Sequence, residues 1–440
     1  MQMMNRREFL RAGSAVVGAP AMARLAQAAP TRRPNIIFLL ADQLRYQSCG
    51  YAGDSLARTP NIDAMARDGM NFRQMVSHMP VCSAYRASLF TGKYTTSTGM
   101  VINELRMNPD HRCLGHVLAD GGYETGYIGK WHLYADQLGH HYEPRNSFVP
   151  RGPHRLGFDG LWAAYNFHHN YYGSYYHTES PEKIFYGEDV FEPDAQTDMA
   201  LDFIEGRAES EKPFFLMVSY GTPHDPWVQS NVPKKYYDMF RDVKFEVPPN
   251  YSSEMDPYGD GWSNIEKSPE RLDEWMRNYY AMTANLDWNV GRILDAVDKS
   301  ELGQDTIVVF TSDHGEMFGG HGRMKKNIFY EEAARVPFLM RWKGIIPAGS
   351  VSDACINTPD IMPTLLGLAG LKRQIPRKVE GMDLSHLARG EDGPQPDAAL
   401  LMNTGACAVW RNGHEWRAVR DDRYTYAVFR GGGPGKRTVI

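Results

Sequence analysis

The chain contains no uninterrupted apolar run of membrane-spanning length, which argues against a helix that crosses a bilayer. It has no excess of positive charge. Its 48 Lys and Arg stand against 53 Asp and Glu, for a formal net charge of −5, so nothing electrostatic points to nucleic acid. Cysteines are few: Cys49, Cys82, Cys113, Cys355 and Cys407 form no C-x-x-C pair and no Cys/His zinc spacing, leaving a structural zinc site unsupported. Long disorder is also absent as a compositional signal, because 42% hydrophobic and 23% charged residues are ordinary globular values. What remains is a 440-residue chain, enough for one large domain and a smaller appendage.

The N-terminus carries an address. Asn5-Arg6-Arg7-Glu8-Phe9-Leu10 precedes a mildly apolar Ala/Gly-rich stretch and then Ala26-Gln27-Ala28, a small-x-small cleavage pattern. Paired arginines before a weakly hydrophobic segment resemble a twin-arginine export signal. Residues 1–28 are therefore expected to be a removable leader, with the twin-arginine translocase as partner and a periplasmic or secreted location. An odd cysteine count in an exported protein leaves at least one thiol without an intramolecular partner, and Cys82 is the best candidate for it.

Four apolar runs stand out: Asn35–Ala41, 124–129 (ETGYIG), 214–220 (FFLMVSY) and Thr306–Ser312. The first, third and fourth are continuous rather than alternating, as in strands buried on both faces of a sheet. Helical patterns lie between them, one opened by Thr59-Pro60 and closed by Gly69, one over about 272–302, and one from Thr358-Pro359 to Gly370. The alternation predicts an α/β domain with a mostly parallel central sheet flanked by helices.

Each run is followed by chemistry. Asp42-Gln43 follow the first, Lys130-Trp131-His132 the second, His224 the third and Asp313-His314 the fourth. Ligands bind at the carboxyl ends of strands in such sheets, so four strand ends would deliver two carboxylates, three imidazoles, an amide and an ammonium to one face. Any one of these after a strand is commonly a solvated loop residue; four sets after four strands form a catalytic face. Asp42, Gln43, Asp313 and His314 make an oxygen-dominated ligand set that suits Ca²⁺ or Mg²⁺ better than zinc. Arg86, Lys130, His132, His224 and Lys326 would add donors around it, as recognition of sulfate or phosphate requires.

The segment Cys82-Ser83-Ala84-Tyr85-Arg86 with Thr91-Gly92 resembles the signature of the sulfatase family, Cys-x-Pro-x-Arg followed by a short helix and Thr-Gly. The resemblance continues in family order. It runs through Ala41-Asp42-Gln43, Thr59-Pro60-Asn61-Ile62-Asp63, Gly129-Lys130-Trp131-His132, Pro223-His224, Thr311-Ser312-Asp313-His314-Gly315-Glu316, Lys326-Asn327-Ile328-Phe329-Tyr330-Glu331-Glu332 and Arg335-Val336-Pro337. It covers about residues 33–430 and implies the alkaline-phosphatase-like sulfatase fold, with a catalytic domain over 33–370 and a small antiparallel subdomain over 371–440.

The resemblance further implies that a formylglycine-generating enzyme oxidises Cys82 to an aldehyde, whose hydrate supplies the nucleophile. Asp42, Gln43, Cys82, Asp313 and His314 would hold one divalent cation, Ca²⁺ first and Mg²⁺ or Mn²⁺ as alternatives. Arg86 would steady the nucleophile and the metal, and His132 would take the proton that releases sulfate. Lys130 and Lys326 would bind sulfate oxygens, and His224 would bind sulfate or protonate the leaving oxygen. Lys326 is preferred to Lys325 for its spacing before Tyr330-Glu331. Ala84 and Tyr85 depart from the commoner Pro and Ser, Gln43 stands where many members have Asp, and His314 stands where some have Asn.

The expected substrate is a sulfated small molecule or sulfated carbohydrate. Residues 166–194, dense in Tyr, Phe and His, are either a recognition loop over the strand ends or a packed surface excursion. Residues 247–268 read as a surface loop. Residues 415–420 and 423–430, separated by Asp421-Asp422, read as a hairpin. The chain stops soon afterwards in a Gly-rich tail, so the small subdomain is expected to be truncated or minimal. Two alternatives stand beside sulfate ester hydrolysis. One is a phosphodiesterase or phosphonate monoester hydrolase on the same fold; the other is a non-catalytic oxyanion- or glycan-binding protein in which Cys82 stays a thiol.

Overall fold

A computed structural model of the chain describes residues 32–135, 143–254, 256, 268–404, 415–430 and 437–439. The expected leader, most of the 247–268 loop and Cys407 lie outside the described residues. In chain order the strands are β1 (Asn35–Ala41), β2 (Met70–Phe72), β3 (Glu124–Lys130), β4 (Trp162–Tyr165), β5 (Tyr175–Tyr176), β6 (Ile184–Phe185), β7 (Phe214–Ser219), β8 (Thr306–Ser312), β9 (Phe338–Arg341), β10 (Ser350–Ser352), β11 (Ala399–Asn403), β12 (Trp416–Arg420), β13 (Thr425–Arg430) and β14 (Arg437–Val439).

Eight strands form the central sheet in the order β10-β2-β9-β8-β1-β7-β3-β4. It is parallel except at β9, which runs antiparallel to both β8 and β2. The four apolar runs of the sequence are its middle: β8, β1, β7 and β3 lie side by side, with Ile36 opposite both Ile307 and Phe215. The continuity of β1 has a direct cause. Ile36, Phe38 and Leu40 enter one core, together with Leu89 and Phe90 of the helix Cys82–Thr91 and Leu365 of the helix Ile361–Leu368. Ile37, Leu39 and Ala41 enter the other, with Ile62 of the helix Pro60–Asp68, Phe203 of the helix Glu192–Glu205 and Leu286 of the long helix Pro269–Lys299. A strand covered by helices on both faces has no solvent side to mark with polar residues.

The order reverses at β1, which has β8 on one side and β7 on the other, so the carboxyl ends of these strands and of β3 open onto one crevice. The helix Cys82–Thr91 starts there. Each of its residues is buried, and Gly92, at φ 64°, ends it with its N–H on the Ser88 carbonyl. A left-handed turn at that position suits glycine, which explains the Thr-Gly of the motif.

The expected 415–430 hairpin is present as β12 and β13 and belongs to a four-stranded antiparallel sheet, β11-β12-β13-β14. Trp416, Ala418, Ala427 and Phe429 on its inner face pack with Met317, Ile328, Phe329 and Ala333. The segment between β8 and β9 is thus clamped from behind. Arg420 adds an ion pair to Glu331 at 2.5 Å and a hydrogen bond to Gln74 at 2.7 Å. Among the described residues, Cys49, Cys82, Cys113 and Cys355 are buried thiols with no disulfide between them.

Candidate functional site

At the crevice the backbone leaves its ordinary regions. Gln43 has φ 69° and His132 φ 56°, and Lys326 is flanked by Lys325 at φ 67° and Asn327 at φ 71°. Left-handed conformations at non-glycine residues cost of order 1 kcal/mol or more each and persist where the surroundings over-determine them. Here they do. The Gln43 N–H donates to Asp313 Oδ1 at 3.1 Å, that of His132 to the Asn166 carbonyl at 2.8 Å, that of Lys325 to Glu316 Oε1 at 2.6 Å and that of Asn327 to the Pro80 carbonyl at 3.1 Å. The alternation at 325 to 327 buries Lys326 and leaves Lys325 half-buried.

Asp42, Cys82, Asp313 and His314 each offer one ligand atom, and these atoms lie within 4.8 Å of one another. His314 Nδ1 meets the Gly315 carbonyl at 3.0 Å, which leaves Nε2 facing the cluster, 3.2 Å from Cys82 Sγ and 3.5–3.6 Å from oxygens of Asp313 and Asp42. Arg86 is wholly buried against it. One guanidinium nitrogen donates to the Lys130 carbonyl and to Ser219 Oγ, both at 2.7 Å; the other reaches Asp42 Oδ2 and Asp313 Oδ2, both at 3.3 Å. Lys130 Nζ donates to Asp42 Oδ2 at 2.6 Å and lies 5.0 Å over the Phe167 ring. Lys326 Nζ donates to Gln43 Oε1 at 2.9 Å, stands 3.6 Å from Cys82 Sγ and meets His224 Nε2 at 2.7 Å.

The electrostatics follow from burial of a crowded set of charges. Burial pushes the Asp42 carboxyl up, but Lys130, His314, Arg86 and Lys326 outweigh it and hold Asp42 well below the usual carboxylate range. Asp313 takes the opposite direction: burial and the neighbouring Asp42 raise it to about 7. Burial, then Lys326, hold His224 and His314 well below the ordinary imidazole value, so both are neutral. Burial and Asp42 push the Cys82 thiol up to about 11, against the pull of Lys326 and Lys130.

The residue set fits a hard divalent cation. Two carboxylates crowded together in a buried site, where burial and then Asp42 raise Asp313, beside a neutral imidazole nitrogen aimed at them, are the donors such an ion relieves. Gln43 stands at the same edge, with its oxygen toward Lys326 and its amide nitrogen donating to Glu316 Oε2 at 2.7 Å.

Nine of the ten expected residues thus meet through direct contacts. The tenth, His132, joins through Phe167, whose ring centre is 4.4 Å from its own. The sequence assigned no role to Ser219 or Glu316, and placed Phe167 and His169 only within the aromatic 166–194 segment. Glu316 had a signal, following Asp313-His314-Gly315 in the motif, whereas Ser219 looks like an ordinary last residue of a strand. Part of the aromatic 166–194 segment does border the site. His169 stacks on His224 with ring centres 3.9 Å apart, and Phe167 lies between His132 and His169. Its more distant part forms the β5–β6 ribbon.

Comparison with known proteins identifies the family of the chain. The family model Sulfatase matches residues 34–371, and the model N-sulphoglucosamine sulphohydrolase, C-terminal, matches residues 319–430. An ulvan-active sulfatase of Formosa agariphila is 38% identical over 402 residues, covering 90% of this chain and 73% of that protein. The solved structure of YidJ from Bacteroides fragilis superposes with a TM-score of 0.80 at 31% identity, covering 94% of this chain and 90% of that one. A phosphonate monoester hydrolase of Agrobacterium radiobacter superposes with a TM-score of 0.72 at 25% identity, covering 93% and 89%.

Proposed function

Starting from the fact that this chain belongs to the sulfatase family and is a sulfatase, we propose that it releases inorganic sulfate from a sulfated carbohydrate, with Cys82 as formylglycine. The observation that carries this reading is the convergence on Cys82 Sγ of Asp42, His314 and Lys326 within 3.7 Å. The hydrated aldehyde supplies one hydroxyl to attack sulfur and a second whose deprotonation expels sulfate.

Asp42, Gln43, Asp313 and His314, with the side chain at position 82, would hold one divalent cation, Ca²⁺ by preference; it supplies Lewis acidity that lowers the pKa of the attacking hydroxyl. Arg86 holds Asp42 and Asp313 in place. Lys130 and Lys326 present ammonium groups to sulfate oxygens, and His132 takes the proton that releases sulfate. His224 binds sulfate or neutralises the leaving oxygen, with a proton supplied by its contact with Lys326. The ulvan-active relative supports a carbohydrate substrate, as do the His and Phe side chains at the crevice. Residues 1–28 are proposed as a twin-arginine leader, so that a folded and already modified chain is exported. No helix of the described residues is long and apolar enough to cross a membrane.

A second reading, phosphodiester or phosphonate monoester hydrolysis, draws on Gln43, His314 and the likeness to the phosphonate monoester hydrolase. Side-by-side assays of an aryl sulfate, an aryl phosphodiester and a phenylphosphonate ester separate the two. Sulfate turnover well above the others is expected, and phosphodiester turnover far above sulfate would overturn the proposal.

A further inference from the structure

We infer that His169 is a positioning residue for the leaving-group side of the reaction, its ring fixing the plane from which His224 Nε2 meets the departing oxygen. The inference rests on the proposed sulfate ester hydrolysis and on His224 facing that oxygen.

His224 is held at both ring nitrogens. Nδ1 meets the Asp225 carbonyl at 2.9 Å and Nε2 meets Lys326 Nζ at 2.7 Å. Its backbone is held as well, since the Tyr171 hydroxyl donates to the carbonyls of Gly221 at 2.6 Å and His224 at 2.9 Å. These in-plane contacts hold the edge of a ring that turns by torsion about Cα–Cβ and Cβ–Cγ, and they leave its faces to packing. One face is covered. His169 lies against it at 3.9 Å between ring centres and only 5° from parallel, so a turn of either ring drives it into the other.

His169 is itself seated. Phe167 meets its ring nearly edge-on at 4.6 Å and 80°. Asn231 joins the two loops: its amide nitrogen donates to the His169 carbonyl at 3.3 Å, and its side-chain oxygen accepts from the Tyr171 N–H at 2.9 Å. The aromatic segment and the loop after β7 are therefore one assembly, with the two imidazoles at its inner edge.

The consequence depends on the leaving group. As the S–O bond breaks, its electron pair goes to the leaving oxygen. A nitrophenolate carries that charge unaided, whereas a more basic oxygen must take a proton from the Lys326–His224 pair at that moment. A misaligned His224 therefore slows esters of basic alcohols and largely spares activated ones. General acid catalysis contributes about 10²–10⁴-fold, and misorientation forfeits part of it.

The test is kcat and KM for the wild type, H169A and H169F on phenyl sulfates graded from 4-nitrophenyl to 4-methoxyphenyl. Formylglycine content and thermal unfolding are matched between the proteins. H169A is expected to lower kcat by less than about threefold at the nitro end and about thirtyfold or more at the methoxy end. KM should change little, and H169F, which keeps a flat face, should recover most of the loss at the methoxy end. A fall that is uniform along the series, no fall, or an H169F no better than H169A would overturn the inference. Wild-type enzyme that carries formylglycine yet releases sulfate from none of the esters would overturn the functional reading itself, and the inference with it.

Discussion

Replacing Arg86 by methionine keeps most of the buried stem and removes the charge that bridges Asp42 and Asp313. At 3.3 Å from each carboxylate, the guanidinium contributes an attraction of about 5 kcal/mol per contact at an effective dielectric of about 20, before the desolvation it offsets. Breaking a buried ion pair from one side costs about 3–5 kcal/mol, because the partner charges stay behind. Ser219 Oγ loses its donor at 2.7 Å, worth about a further 1 kcal/mol, whereas the Lys130 carbonyl keeps the Tyr127 hydroxyl at 2.5 Å. The expected loss is therefore about 4–6 kcal/mol in the cation-free protein. A divalent cation between the same carboxylates replaces part of the missing charge, so the deficit should shrink when Ca²⁺ is present. Urea unfolding followed by tryptophan fluorescence, in EDTA and in saturating Ca²⁺, measures both. A deficit below about 1 kcal/mol in EDTA would refute the ion-pair reasoning. A deficit of equal size with and without Ca²⁺ would refute the placement of the cation.

Further predictions concern the same ligands. Asp313, raised to about 7 in the cation-free chain, must lose its proton to coordinate. Cation affinity should therefore fall about tenfold per pH unit below that value and level off above it. The sign for folding is the reverse: the raised carboxyl keeps a proton that the unfolded chain has already lost. The cation-free protein should thus lose stability as pH rises from the ordinary carboxylate range to about 7. Calorimetry in buffers of different ionisation enthalpy checks the proton release, and an affinity flat between pH 6 and pH 8 would contradict it. Gln43→Glu places a carboxylate against Glu316, which is fully buried and itself raised by burial, where an amide now donates at 2.7 Å. A loss of about 2–3 kcal/mol is expected in urea unfolding, and an unchanged midpoint would show that Glu316 does not select the amide.

Much of this site is legible in the sequence because the strands that carry it are long, central and covered on both sides. Asp42 and Asp313 directly follow continuous apolar runs and Lys130 ends a mixed one, and a parallel sheet sends the ends of those runs to one face. The outer strands β2, β9 and β10 are only three or four residues each, too short for periodicity to register, and the antiparallel turn of β9 is set by pairing far along the chain. Lys325 and Lys326 are equivalent as letters. The left-handed residues on either side of Lys326 decide between them, held by Glu316 and Pro80, contacts that no local pattern encodes. The stack of His169 on His224 was equally hidden, since it depends on Tyr171 and Asn231 joining two loops.

The account turns on the chemical identity of residue 82. Ala84 follows it where the family motif has proline, and the thiol form is fully buried among Asp42, His314 and Lys326. Mass spectrometry of the peptide containing residue 82, from protein that is active on an aryl sulfate, measures that identity directly. The account predicts the aldehyde in a fraction that tracks specific activity across preparations; an unmodified thiol in fully active protein would contradict it.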